Sequence, residues 1–271
     1  MQIEVINTGS ELLLGSTINT HAAWFGRELF SLGLRVSRQV TVPDGDPIRD
    51  AIRESLQRAD VLIVTGGLGP TSDDLTREIT ADVLGIELIS DEAAMRSIEG
   101  YFAHRGRPMA AANLKQALVP VGADVLPNPN GTAPGVYVPP RLNGRSNCAI
   151  FLLPGPPREL YPMYHNEVVP RLRALSGIED PPKLLNLRFT GIGESDFHQK
   201  IDEQLAKISG LEHGYCAHIG EVDLRLIGHA SALAAASKIA RDAFGDQLIS
   251  SNGDNIAETV VRMLGERKLT L

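Results

Sequence analysis

Cysteine is almost missing from this chain. Its two residues, Cys148 and Cys216, stand far apart and neither has a C-x-x-C partner, which argues against a disulfide scaffold or a thiolate-ligated zinc site. Both read as buried thiols in strand contexts. Long hydrophobic runs are missing too: nothing approaches the roughly 18 apolar residues that would span a bilayer. The start, Met1-Gln2-Ile3-Glu4, enters a strand where a secretory leader would be basic and apolar. A cytoplasmic protein without membrane contact is expected. Positive charge is in deficit, with a formal net charge of −7, which argues against a nucleic-acid or anionic-lipid surface. The seven histidines lack metal-like spacing and read as structural or exposed. The one tryptophan, Trp24, shares helical spacing with Phe25, Leu29 and Leu32, so it reads as core and not as a stacking platform.

What is present suits one large or two ordinary globular domains, since 271 residues are 43% hydrophobic. The most informative stretch is 61–76, VLIVTGGLGPTSDDLT. Residues 61–64 form a β-branched run suited to a strand covered on both faces. Gly66, Gly67 and Gly69 then permit a sharp turn and a close backbone approach, and Thr71, Ser72 and Asp73 are suitable N-caps for a helix over 74–84. A helix start of this kind favours an anion. The same residues would also serve as a plain tight turn before a capped helix. Asp73 and Asp74 tilt the choice, because two carboxylates beside a phosphate repel it unless a divalent cation lies between them. A Walker lysine is absent and the glycines are not in dinucleotide-fingerprint order.

Three further loops carry similar punctuation. Residues 7–15, NTGSELLLG, follow an apolar strand at 3–6, and Glu11 could be a metal or ribose ligand or simply a helix-start acid. Residues 127–135 are dense in Pro, Asn and Gly, between a strand over 124–126 and a hairpin of 136–138 with 148–153, whose tip is 139–147. Residues 153–160, LPGPPREL, again turn a strand into a helix, with Pro157 in its first turn. Helices over 19–32 (closed by Gly33) and 47–58 (begun at Asp46) alternate with strands over 34–42 and 61–64, a β-α-β rhythm that predicts a doubly wound, mostly parallel sheet. Two more helices, 91–105 and 108–118, follow. Lys115 in the second could hold a phosphate or be an ordinary surface lysine. Since ligands lie at the carboxyl ends of strands in such sheets, the four loops should share one sheet edge.

Near 176–182 the pattern changes to a Gly, acidic and double-Pro stretch, a candidate domain boundary. Beyond it a strand over 183–190, a helix over 195–207, strands over 213–219 and 223–228, a helix over 232–244, a short strand at 247–250 and a helix over 256–264 describe a small α+β domain. Residues 268–271 read as the start of another strand.

In order, GSELLLG with Asn19-Thr20, TGGLGPTSDDLT, NLKQALVP, NPNGTAPG and LPGPPREL resemble the amino-terminal part of the competence/damage-inducible CinA family, over about 175 residues. Thr190-Gly191-Ile192-Gly193-Glu194-Ser195 extends the likeness. The resemblance implies a three-layer, MoaB-like α/β domain at 1–175 with helices on both faces of a mostly parallel sheet. A KH-like α+β domain at 183–250 and a terminal helix and linker at 251–271 would follow, together with a homodimeric assembly. It implies hydrolysis of ADP-ribose, or a related nucleotide pyrophosphate, to AMP and ribose 5-phosphate with a divalent cation (Mg, Mn or Co). The expected route is in-line attack of a cation-oriented water on one phosphorus. Asp73 and Asp74 would carry the metal, with Glu11 and Glu159 as further ligands or base. Gly66, Gly67 and Thr71 would cradle phosphate, Lys115 would add charge, and Asn19, Gly131 and Thr132 would shape the sugar or base pocket. The alternative is a molybdopterin- or nucleotide-binding module without turnover. Many members continue into a nicotinamide mononucleotide deamidase domain. This chain ends where that domain's first strand would begin, so no deamidase activity is expected of it.

KH modules clamp nucleic-acid backbone with a G-x-x-G loop, whereas Gly191-Ile192-Gly193 has different spacing. Residues 178–271 hold ten basic and fourteen acidic residues, so scaffolding or dimerisation suits this domain better. Counterion release requires clustered Lys or Arg. Titration of the chain with single-stranded RNA should therefore show no submicromolar, salt-dependent complex; finding one would overturn the expectation.

Overall fold

A computed structural model describes residues 1–142 and 147–269, and the chain separates into two compact units, Met1–Glu179 and one from Asp180 onward. The hairpin tip expected at 139–147 lies partly outside the described residues, as do the last two positions of the strand expected over 268–271.

In the first unit, β1 (Ile3–Thr8) is followed by a short α1 (Ser10–Leu13), α2 (Thr20–Ser31), β2 (Val36–Val42), α3 (Asp46–Ser55), β3 (Val61–Thr65) and α4 (Thr76–Leu84). Then come β4 (Leu88–Ser90), α5 (Glu92–His104), a 3-10 segment (Ala111–Ala117), β5 (Leu118–Pro120), β6 (Asp124–Leu126), β7 (Gly135–Val138), β8 (Ala149–Leu153), α6 (Pro157–Met163) and, after a π-helical turn, α7 (Val169–Ser176). The main sheet has the order β2-β1-β3-β8-β7-β6. Its first four strands are parallel, and β7 and β6 join as antiparallel strands at one edge. Every residue of β1, β3 and β8 is buried, as expected of strands covered on both faces.

One face packs under Trp24, Phe25 and Leu29 of α2 with Leu160 and Leu172 of the last helices. The other packs under Ile48 and Ile52 of α3 with Ile79 and Leu84 of α4. This is the expected three-layer α/β architecture, and Trp24 is core, stacked on Tyr161 with centroids 4.2 Å apart. Glu4 is 2% exposed in the central sheet and is tied to Ser55 Oγ at 2.7 Å and Arg58 Nε at 2.5 Å. Burial raises its pKa, but the hydrogen bonds and charges of Arg58, Ser55 and Arg38 outweigh that and hold it below the usual carboxylate range.

Several local expectations change. The helix expected over 74–84 starts at Thr76, with Leu75 at the cap position and no side-chain cap, because Asp74 is engaged in the preceding turn. The helix expected over 108–118 is the shorter 3-10 segment, and residue 118 already pairs in β5 against β4. The strand expected from residue 34 begins at Val36. Cys148 is buried, and burial raises its thiol pKa to about 12. Cys216 is exposed, on a strand at the edge of the second unit's sheet, so the expectation of two buried thiols fails for it. The strand expected over 268–271 is not seen at Lys268, which lies in a turn.

In the second unit, β9 (Lys183–Thr190), a helical run of α8 (Glu194–Phe197), a π-turn and α9 (Glu203–Ala206), β10 (Glu212–His218), β11 (Glu221–Gly228), α10 (Ala230–Phe244), β12 (Leu248–Ser250) and α11 (Ile256–Glu266) follow in order. The sheet order is β10-β11-β9-β12, all antiparallel. Phe189, Phe197, Ala236 and Phe244 centre its core. Among the described residues, no helix is long and apolar enough to cross a membrane.

On that sheet Arg188 donates to both oxygens of Asp223, at 2.6 and 2.8 Å, and lies 3.2 Å from Glu221. The Arg188 hydrogen bonds hold the Asp223 carboxyl below its ordinary value. A depressed acid contributes stability that is full above its unfolded pKa of about 3.9 and is lost as pH falls through the lower folded value. Calorimetric melting of the intact chain should therefore show an acid loss of stability that is smaller in Asp223→Asn. An unchanged pH profile would contradict this role.

Candidate functional site

The chain leaves β1 outward to β2 and returns across to β3, so β1 and β3 flank the sheet's switch point, where ligands of such folds bind. Beyond their carboxyl ends lies an open cleft of about 450 Å³. The loops after β1, β3 and β8 and the 127–134 loop all contribute to its wall.

Backbone shape makes this cleft. Gly66 and Gly67 have φ of +103° and +66°, which side chains rarely adopt. A Cβ on Gly66 would strike the Thr8 hydroxyl and lie 2.7 Å from the Thr8 carbonyl oxygen, and one on Gly67 would strike the Thr76 hydroxyl. The loops are then tied together: the Thr65 hydroxyl donates to the Pro154 carbonyl at 3.1 Å and the Thr76 hydroxyl to the Gly66 carbonyl at 2.9 Å.

Of the residues singled out in the sequence, Gly66, Gly67, Asp73, Asp74, Glu11, Glu159, Gly131 and Thr132 all line the cleft. Asp73 is exposed, and the Thr71 hydroxyl, its own backbone N–H and the Lys115 charge hold its carboxyl below the ordinary value. Asp74 closes the turn: its Oδ2 accepts from the Thr71 N–H at 2.9 Å and from the Thr71 hydroxyl. Glu159 is 8% exposed, and its Oε2 accepts from Asn128 Nδ2 at 2.9 Å.

Three residues stand elsewhere. Thr71 is outside the cleft wall and anchors the turn. Lys115 is outside it too, because its ammonium donates to the Thr71 and Asp74 carbonyls at 2.6 and 2.7 Å and braces the loop from behind. Asn19 caps α2, accepting from the Ala22 N–H at 3.2 Å, and borders a second chamber of about 330 Å³.

Sequence reasoning missed Asp44, Tyr101 and Arg158, which also line the cleft. Asp44 Oδ2 accepts from the Ser10 N–H and hydroxyl, both at 3.0 Å. The turn residues 43–46 after β2 were the available signal. Arg158 Nε lies 3.6 Å from Glu159 Oε1, and among the described residues it is the only Lys or Arg in a wall holding five carboxylates. Among the described residues, no three His, Cys, Asp or Glu side chains group as a metal cage. The hard oxygen donors suit a divalent cation that takes its remaining ligands from phosphate and water, as Mg commonly does.

The chain matches two family descriptions: "Probable molybdopterin binding domain" over residues 4–174 and "Damage-inducible protein CinA KH domain" over 186–244. It is 48% identical over 269 residues to a CinA-like protein of Akkermansia muciniphila, covering 99% of this chain and 64% of that one. It is 41% identical over 279 residues to a putative competence-damage inducible protein of Moorella thermoacetica, covering 100% of this chain and 66% of that one. The chain thus spans just under two thirds of these relatives' lengths. A solved structure of CinA of unknown function from Thermoplasma acidophilum superposes with a TM-score of 0.57 at 33% identity, covering 63% of this chain and 98% of that one.

A Cβ on Gly131 would overlap the Glu159 carboxylate. Gly131→Ala should therefore destabilise by about 1–3 kcal/mol in denaturant unfolding. A double-mutant cycle with Glu159→Ala should recover much of that loss; strict additivity would show that the two positions do not press on one another.

Proposed function

The chain belongs to the CinA-like competence/damage-inducible family, with a molybdopterin-binding-type domain followed by a KH-type domain, and from that membership we propose that it hydrolyses nucleotide pyrophosphates, ADP-ribose foremost, to AMP and ribose 5-phosphate with a divalent cation. The observation that carries this reading is one cleft in which the Gly66-Gly67 turn faces five carboxylates. Such a wall repels a bare pyrophosphate and accepts one that arrives with a cation.

Asp73 and Asp74 would hold that cation, Mg, Mn or Co. When bound, it would offset phosphate charge and make the phosphorus more electrophilic. The glycine turn lets the backbone approach the phosphate closely, and Arg158 supplies the wall's own positive charge. Glu11 borders both chambers and in this reading would take the proton of the attacking water. Attack forms one P–O bond and breaks the bond to the bridging oxygen, which leaves on the other phosphate. Glu159, held by Asn128, positions the 127–134 loop against the cleft.

A second reading, binding without turnover, draws support from Asp74, whose Oδ2 is already committed to Thr71. Asp74→Asn separates the two. Asparagine keeps an acceptor for Thr71 but removes a charge, so metal-dependent ADP-ribose hydrolysis should fall about 100-fold with little change in thermal unfolding. Wild-type turnover in the variant would remove Asp74 from the mechanism. No hydrolysis by the wild type across a panel of dinucleotides and metals would favour the binding module.

A further inference from the structure

Arg77, the second residue of α4, is 1% exposed and among the largest side chains that the fold buries. Its Nη1 donates to the Lys115 carbonyl at 3.2 Å, but among the described residues its Nε and Nη2 have no hydrogen-bond partner. Glu78, beside it in the chain, places one oxygen 3.9 Å from the Lys115 ammonium and keeps the other buried and unpartnered. A buried charge without close pairing is costly, and a neutral glutamine could serve a single carbonyl as well. Bracing one carbonyl therefore does not account for a guanidinium at this position.

The surroundings point to a use for the charge. Burial lowers the pKa of this guanidinium, opposed by the charges of Glu78 and of Asp74 in the cleft wall, and an arginine stays protonated at neutral pH all the same. The carbonyl that it holds leads into Gln116, another residue of that wall, and the Lys115 ammonium holds the 71–74 turn. Arg77 thus stands behind the wall without lining the cleft. A charge closed off from water and salt is screened far less than one on the surface. The wall sets five carboxylates against Arg158 alone, a balance that favours a cation and opposes the anion that has to join it.

We propose that Arg77 is a positioning residue that acts through its charge: from beneath the 71–74 turn it offsets part of the carboxylate field, weakening the cleft's hold on a cation and strengthening its hold on a pyrophosphate. The proposal rests on the cation-and-pyrophosphate reading of the cleft and adds a charge that the wall itself does not carry.

Arg77→Gln and Arg77→Lys separate charge from bracing, because glutamine keeps a donor for the Lys115 carbonyl without the charge and lysine keeps the charge. Manganese binding is read from the electron paramagnetic resonance of the free ion. Binding of the α,β-methylene analogue of ADP-ribose, which resists hydrolysis, is read by calorimetric titration at saturating manganese. In Arg77→Gln manganese should bind about fivefold more tightly and the analogue about fivefold more weakly, with Arg77→Lys within about twofold of wild type on both. Arg77→Met carries the same expectation should the glutamine variant not fold, since apolar groups often replace buried ions without loss of stability. Affinities that stay at the wild-type level in the uncharged variant, or that fall together, would overturn the proposal, as would a wild type that binds no manganese. ADP-ribose hydrolysis measured in parallel separates the two readings. Opposed shifts without turnover would support the charge role while the catalytic reading fails, and turnover with unchanged affinities would do the reverse.

Discussion

The close approach of the β1, β3 and β8 ends at Gly66 and Gly67 is the constraint on which the cleft depends. With Thr8 against one glycine and Thr76 against the other, no side chain can be added without pushing the loops apart. Two threonine hydroxyls, those of residues 65 and 76, then use the carbonyls that such a turn would leave without strand partners. The outcome is a floor made of backbone, on which charge from the surrounding loops can be arranged.

That charge is mostly negative, and its placement differs from a simple phosphate site. Lys115, which could have offered an ammonium to a ligand, instead donates to two carbonyls behind the 71–74 turn. Asp74 works within the same turn from the other side. The loop is thus held by its own polar groups, and Asp73 is left exposed with a carboxyl that stays ionised below its ordinary value. Glu159 is the most buried of the cleft carboxylates, and its contacts with Asn128 and the glycine at 131 join α6 to the loop before β7. Arg158 stands beside it as the guanidinium of that wall.

The second unit uses charge differently. Arg188 is satisfied by Asp223 and Glu221 on the neighbouring strand, so its positive charge is balanced within the sheet. π-turns join α6 to α7 and α8 to α9, each an i→i+5 turn set within a helical run.

Much of this was readable from residues alone. Apolar β-branched runs mark β1, β3 and β8, glycine and proline mark the turns after them, and helical spacing places Trp24 in the core, because these properties are local. The motif order likewise identified the family and the loops that build the cleft. Tertiary structure alone decided which charged groups face the cleft. Lys115 and Thr71 belong to the motifs that build the site but turn toward the loop itself, while Asp44, Tyr101 and Arg158 reach the cleft without having been marked by those motifs as its lining. The direction of a long polar side chain is set by which carbonyls and carboxylates the fold brings within hydrogen-bonding distance, and those partners can be dozens of residues away in the chain.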